Sequence, residues 1–140
     1  METLRRPVAP RDCDILGHMN VAAYIDAVSD AMFAVQTAIG LDRAALAATQ
    51  RSFVAARIEA DYRAEMLAGD VFTLESRILH IGTKSARFAH RMIRIGDGAT
   101  VFAAQNVSVF FDLAARRAVA IPDDLRHALE RLKEEDPDET

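Results

Sequence analysis

The apolar positions of this chain change period once, near residue 50. Before that point Tyr24, Val28, Ala31, Met32, Val35, Ala38 and Ile39 recur at helical spacing. Asp26, Ser29, Asp30, Gln36 and Thr37 fall on the opposite, polar face, where Phe33 is the apolar exception. Asn20 is placed to cap the start of this helix and Gly40 to end it in a left-handed residue. Its roughly 20 residues would span ~30 Å. Asp42–Thr49 predicts one or two further helical turns. Beyond Val54 the period is two. The runs 54–62, 71–81, 85–95 and 100–112 read as strands, with turns of hairpin length at 82–84 and 96–98. Four strands in antiparallel succession, a meander, are the expectation.

Residues 3–9 predict a short first strand, 10–19 a loop and 116–121 a last short strand. Pro122 opens a terminal helix with Leu125, Ala128, Leu129 and Leu132 on one face. The pattern is α+β: one long central helix, buried most economically by an antiparallel sheet of five or six strands wrapped around it. The domain is expected over 1–133. Residues 134–140 carry five acids and read as a disordered tail. Strands 85–95 and 100–112 are apolar on both faces, which asks for a second cover, and Phe33 asks for the same. Association with further copies of the chain follows.

Composition narrows the class. The chain of 140 residues is 51% hydrophobic and 27% charged, with a net charge of −4, which excludes a disordered polymer. No apolar run approaches the ~18 residues of a membrane helix, and METLRRPVAP lacks the apolar stretch of a secretory leader. No basic block marks a nucleic-acid surface. One cysteine allows neither a disulfide framework nor a cysteine-based zinc site. The expectation is a cytoplasmic protein without nucleic-acid or membrane partners.

The chemistry concentrates in Asp12-Cys13-Asp14-Ile15-Leu16-Gly17-His18-Met19-Asn20, directly ahead of the long helix. A helix start offers unpaired N–H groups and the positive end of the macrodipole, and so can polarise a carbonyl. A carboxylate beside it can act as nucleophile or as general base for water. Those parts suffice for acyl transfer to water. Asp and His ahead of a helix also serve as caps and turn formers, so both readings stand at this point.

The segment resembles the signature of hotdog-fold acyl-CoA thioesterases of the 4-hydroxybenzoyl-CoA thioesterase type, D-x-D-x-x-G-H-[VM]-N followed by a helix with Tyr in its first turns, here Tyr24. Tyr62…Gly69-Asp70, Lys84-Ser85 and the strand 103–112 resemble later family segments in the right order. The resemblance covers roughly 4–121. It implies that Asp14 is the catalytic carboxylate and that the backbone N–H of Val21 polarises the thioester carbonyl. It also implies that His18 and Asn20 shape the site. Many members carry a second Asn where this chain has Val21, which leaves the substrate subgroup open. Asp14…Gly17-His18-Met19 is similar also to a branch acting on betainyl-CoA and other short polar acyl-CoAs. The family implies an acyl-CoA substrate, no metal and no separate cofactor (coenzyme A arrives as part of the substrate), and a homodimer or homotetramer.

Lys84, Ser85 and Arg87, with Arg91, are the candidates for the coenzyme A phosphates, Lys84-Ser85 by resemblance and the arginines by charge. Plain solvated strand positions are the alternative. Asp26 and Asp30 form a hydrated helix face or, as in another hotdog branch, supply a catalytic carboxylate. Cys13 reads as packing, and His80, His90 and His127 have no metal-ligand spacing. Two rivals to the thioesterase remain: a hotdog dehydratase or hydratase, with His18 set against Asp26 or Asp30, and a non-catalytic acyl-CoA-binding protein.

Overall fold

A computed structural model describes residues 1–136. The elements follow in the order β1 (Glu2–Pro7), α1 (Val21–Ala38), α2 (Arg43–Thr49), β2 (Arg51–Tyr62), β3 (Val71–Ile81), β4 (Ser85–Arg94), β5 (Thr100–Asp112), β6 (Arg117–Ala118) and α3 (Asp123–Glu135). The strands form one antiparallel sheet in the order β1-β3-β4-β5-β2, with β6 on β5. The expected elements are present within a few residues of their predicted ends.

The order corrects the four-strand meander. Only β3, β4 and β5 succeed one another as neighbours, and β2 lies beyond β5 at the end of the sheet. The link from β2 to β3 explains this, because residues 63–70 are too long for a tight hairpin. They also bury Met66 completely. β1 fills the vacant side of β3 in antiparallel register, Arg5 opposite Thr73 and Pro7 opposite Val71.

The chain divides into two compact units. The first comprises Met1–Ala34, Ala60–Ser76 and His90–Ala104. Its core sets Tyr24, Ala27, Val28 and Ala31 of α1 against Phe72, Leu74, Met92, Val101 and Phe102 of the sheet. Small side chains at 27 and 31 let helix and strands approach closely, and each large buried apolar side chain contributes ~1.5–3 kcal/mol. His90 is buried here, its Nδ1 2.7 Å from Ser76 Oγ, which in turn lies 2.8 Å from Thr3 Oγ1.

The second unit comprises Val35–Glu59, Arg77–Ala89 and the chain from Gln105 onward. Phe53 packs edge-on against Phe88 and Phe110. Gln36, expected on the polar helix face, is buried instead: its Oε1 accepts from Ser52 Oγ at 2.6 Å and from the Phe53 N–H at 3.3 Å. Ala38 is correspondingly exposed. The exchange is physical, since Gln36 satisfies a hydroxyl and a backbone donor that an alanine would orphan. Asp42 caps α2 through Ala45 N–H at 2.9 Å. Pro122 is the cap residue of α3 rather than its first helical residue, and Leu125 and Leu129 are the buried side of that helix. α3 continues to Glu135, so the first acids of the expected tail are helical; residues 137–140 lie outside the described residues. No described helix is long and apolar enough to cross a membrane.

Candidate active site

Between β1 and α1 the chain makes a 3-10 turn at Pro10–Asp12 and then a tight loop. Cys13 and Met19 pair across the neck of that loop in an isolated antiparallel bridge. The Asp14 N–H donates to His18 O at 3.2 Å and the Gly17 N–H to Asp14 O at 3.0 Å. Gly17 turns the chain with φ +87, a conformation that a β-carbon disfavours. The Met19 N–H then reaches Met66 O at 2.8 Å, which fastens the loop to the β2–β3 connection.

The two acids of the motif have different surroundings. Asp12 is structural. Its Oδ2 accepts from the Ala9 N–H at 2.8 Å and from Arg6 Nη1 at 2.7 Å, and its carbonyl accepts from the Asn20 N–H at 2.7 Å. Arg6 itself lies over the Phe72 ring. Burial pushes the Asp12 carboxyl upward, but the Arg6 and Ala9 hydrogen bonds and the charges of Arg6 and Arg11 outweigh it and hold the pKa below the ordinary value. Asp14 is half-buried, with Oδ1 accepting from the Leu16 N–H at 2.9 Å and Oδ2 from Asn20 Nδ2 at 3.0 Å.

Asn20 connects this carboxylate to the helix. Its Oδ1 accepts from the Ala22 N–H at 2.9 Å and its carbonyl from the Ala23 N–H at 2.9 Å. Two of the first three helical N–H groups are thereby satisfied. That of Val21 has no partner among the described residues. His18 is partly exposed, with Nδ1 3.3 Å from Met19 O and Nε2 3.9 Å from Glu65 Oε1. It faces Glu65 rather than Asp26 or Asp30, both of which are exposed on α1. Asp14, His18, Asn20 and Val21 are therefore brought together in the first unit.

Two contacts here had no local sign in the sequence. Tyr62, at the end of β2, donates its hydroxyl to Val21 O at 3.3 Å. Glu65 approaches His18 from a connection 47 residues downstream by numbering. A depression of about 440 Å³ lined by Ala64, Glu65, Leu67, Asp70 and Arg94 adjoins Glu65. Burial raises the pKa of both Tyr24 and Tyr62 above that of a free phenol. Cys13 packs against the first core with its thiol 3.8 Å from Ala9 O, in keeping with a packing role.

Lys84, Ser85 and Arg87 belong to the second unit. Lys84 ends the β3–β4 turn, in which the Gly82 N–H donates to Ser85 O at 2.7 Å and Arg126 Nη2 donates to Gly82 O at 2.6 Å. Lys84 and Arg87 are exposed and have no ion-pair partner among the described residues. Arg91 pairs across strands with Glu75, Nη2 to Oε2 2.9 Å, with both side chains about half exposed. A larger cavity of about 660 Å³, walled by Ile39, Leu41, Ala45, Phe110 and Leu125 with Arg51 at its side, contains none of the candidate residues. Among the described residues no group of three or more His, Cys, Asp or Glu is placed to hold a metal ion.

Residues 8–129 match the profile of the thioesterase-like superfamily. The chain is 34% identical over 128 residues to the L-carnitine dehydrogenase/betainyl-CoA thioesterase of Agrobacterium fabrum, a match covering 89% of this chain and 26% of that protein. It is 32% identical over 127 residues to Protein THEM6 of Danio rerio, covering 83% of this chain and 62% of that protein. The chain thus spans about a quarter and about three fifths of the curated relatives it matches. A Staphylococcus aureus protein solved in complex with CoA superposes with a TM-score of 0.93 at 19% identity, covering 100% of this chain and 89% of that one. The shared fold is the hotdog fold.

Proposed function

The chain belongs to the thioesterase-like superfamily, and from that membership we propose that it is an acyl-CoA thioesterase with Asp14 as its catalytic carboxylate. The observation that carries the reading is the Asp14–Asn20–Ala22 chain of hydrogen bonds, which ties a half-buried carboxylate to the start of α1 while the Val21 N–H has no partner among the described residues. A thioester carbonyl on that N–H has its oxygen at the positive end of the helix, where negative charge is stabilised as the carbonyl carbon is attacked. Asp14 either removes a proton from the attacking water or attacks directly, giving a mixed anhydride that water then opens. In both routes the C–S bond breaks, coenzyme A leaves as its thiolate and takes up a proton, and the free acid remains.

Asn20 Nδ2 holds one carboxylate oxygen of Asp14 and Leu16 N–H the other, so the group is oriented before substrate arrives. His18 borders the same loop, and Lys84, Ser85 and Arg87 are the proposed contacts of the coenzyme A phosphates. The chain is proposed to act as a homodimer or homotetramer. The terminal position of β2 in the sheet and its exposed Val54, Ile58 and Tyr62 support this, as does the exposed Phe33. The placement of His18 against Glu65 rather than a helix carboxylate weighs against the dehydratase reading. The betainyl-CoA thioesterase named for the Agrobacterium relative makes short polar acyl groups the first to try.

The test is hydrolysis of short polar, aromatic, charged and long-chain acyl-CoAs, read as released thiol. Turnover of at least one class that is lost in Asp14→Asn is expected. Tight binding of acyl-CoA without turnover would instead establish the binding-protein reading.

A further inference from the structure

We infer that Tyr62 is a positioning residue for the carbonyl-polarising N–H of Val21, acting through a hydrogen bond to the main chain of the first helical residue. The inference rests on the proposed role of that N–H. Val21 opens α1 and is 60% exposed, so packing does little to hold it. The first residue of a helix frays unless something outside the helix secures it. Asn20 secures Ala22 and Ala23. Among the described residues, the side-chain hydrogen bond that reaches Val21 from outside the helix comes from the Tyr62 hydroxyl, 3.3 Å from Val21 O.

Tyr62 is a rigid post for this task. Its ring meets Tyr24 edge-on with centroids 5.2 Å apart and Phe102 at 5.1 Å, and Tyr24 and Phe102 lie 5.2 Å from each other. Three rings in mutual contact leave the phenol little freedom to swing. The backbone behind it is also pinned, because the N–H groups of Arg63 and Ala64 both donate to Val101 O, at 2.8 and 3.2 Å. Tyr24 and Phe102 are themselves core residues, so the post stands on the packed interior of the first unit. A phenol is protonated, hence a donor, throughout the neutral range, and burial moves the Tyr62 hydroxyl further in that direction.

Tyr62→Phe keeps the ring and removes only the hydroxyl. With an acyl-CoA that the wild type hydrolyses, kcat is expected to fall about five- to tenfold, the effect of one positioned hydrogen bond, with KM within about twofold. The melting temperature is expected to move by only a few degrees, roughly what a single exposed hydrogen bond contributes. Independently of turnover, the backbone resonances of Val21 and Ala22 should shift and their amides exchange faster. Unchanged Val21 and Ala22 resonances overturn the inference whether or not any thioester is hydrolysed. Shifted resonances with wild-type kcat overturn the positioning role. Shifted resonances in a protein whose wild type hydrolyses nothing overturn the thioesterase reading and leave the Tyr62 contact standing.

Discussion

Asn20 holds Asp14 with one end of its side-chain amide and the start of α1 with the other: Nδ2 lies 3.0 Å from Asp14 Oδ2, and Oδ1 lies 2.9 Å from the Ala22 N–H. A single residue therefore sets the carboxylate relative to the helix end. Neither an acid nor an aliphatic residue can do both, because the task needs a donor and an acceptor on one short side chain.

Asp14→Asn should leave the fold intact and reduce turnover by at least ~100-fold, the scale of losing a positioned base or nucleophile. Cys13→Ser, two atoms of chain away on the same loop, should change turnover little. Both are read by released thiol, with circular dichroism as the fold control.

Asn20→Ala removes the cap and the Asp14 contact together and should cost about 1 kcal/mol of stability as well as activity. Asn20→Asp restores the acceptor for the Ala22 N–H but places a second negative charge beside Asp14. Like charge disfavours ionisation, so the acid limb of the pH–rate profile should move to higher pH. A profile superimposable on the wild type's would show that residue 20 does not touch the titrating group.

The Arg6–Asp12 pair makes a prediction about acid stability. The folded-state pKa of Asp12 lies below its unfolded value. Its contribution is therefore present above the unfolded value and is lost as pH falls through the folded one. Arg6→Gln should lower stability by about 1–2 kcal/mol near neutrality, as expected for removing one partner of a part-buried charged hydrogen bond. The difference between variant and wild type should shrink as Asp12 becomes protonated. Chemical denaturation at a series of pH values measures both.

Gly17 has φ +87, and a β-carbon there would meet no atom within 4 Å. Gly17→Ala should therefore cost only the left-handed backbone term, roughly 1–2 kcal/mol, and Gly17→Asn less. Thermal melts of the two variants separate conformational strain from steric clash.

Lys84→Ala and Arg87→Ala should raise KM several-fold with kcat little changed, because contacts remote from the reacting bond act on ground and transition states alike. Added salt should weaken binding of full acyl-CoA more than that of a pantetheine thioester, which lacks the nucleotide phosphates. Equal salt sensitivity would make both residues ordinary surface charges.

What the sequence by itself determined was local. The helical period of residues 24–39, the alternation of the strands, the cap at Asn20 and the left-handed Gly40 all depend on neighbours within a few positions, and all are present. The Asp14–Asn20 motif was legible for the same reason, since its loop closes on itself within seven residues. The tertiary structure alone decided which strands are neighbours: β1 rather than β2 pairs with β3, because pairing partners are chosen by chain connections and burial, not by the alternation that every strand shares. It also decided that Gln36 turns inward to Ser52 and Phe53, and that Arg91 meets Glu75 across the strands. The phenol of Tyr62, 41 residues from Val21 along the chain, reaches the start of α1 only because the sheet carries β2 there. A side chain's polarity predicts that it will find a partner; the identity of a partner that distant is a property of the packed chain.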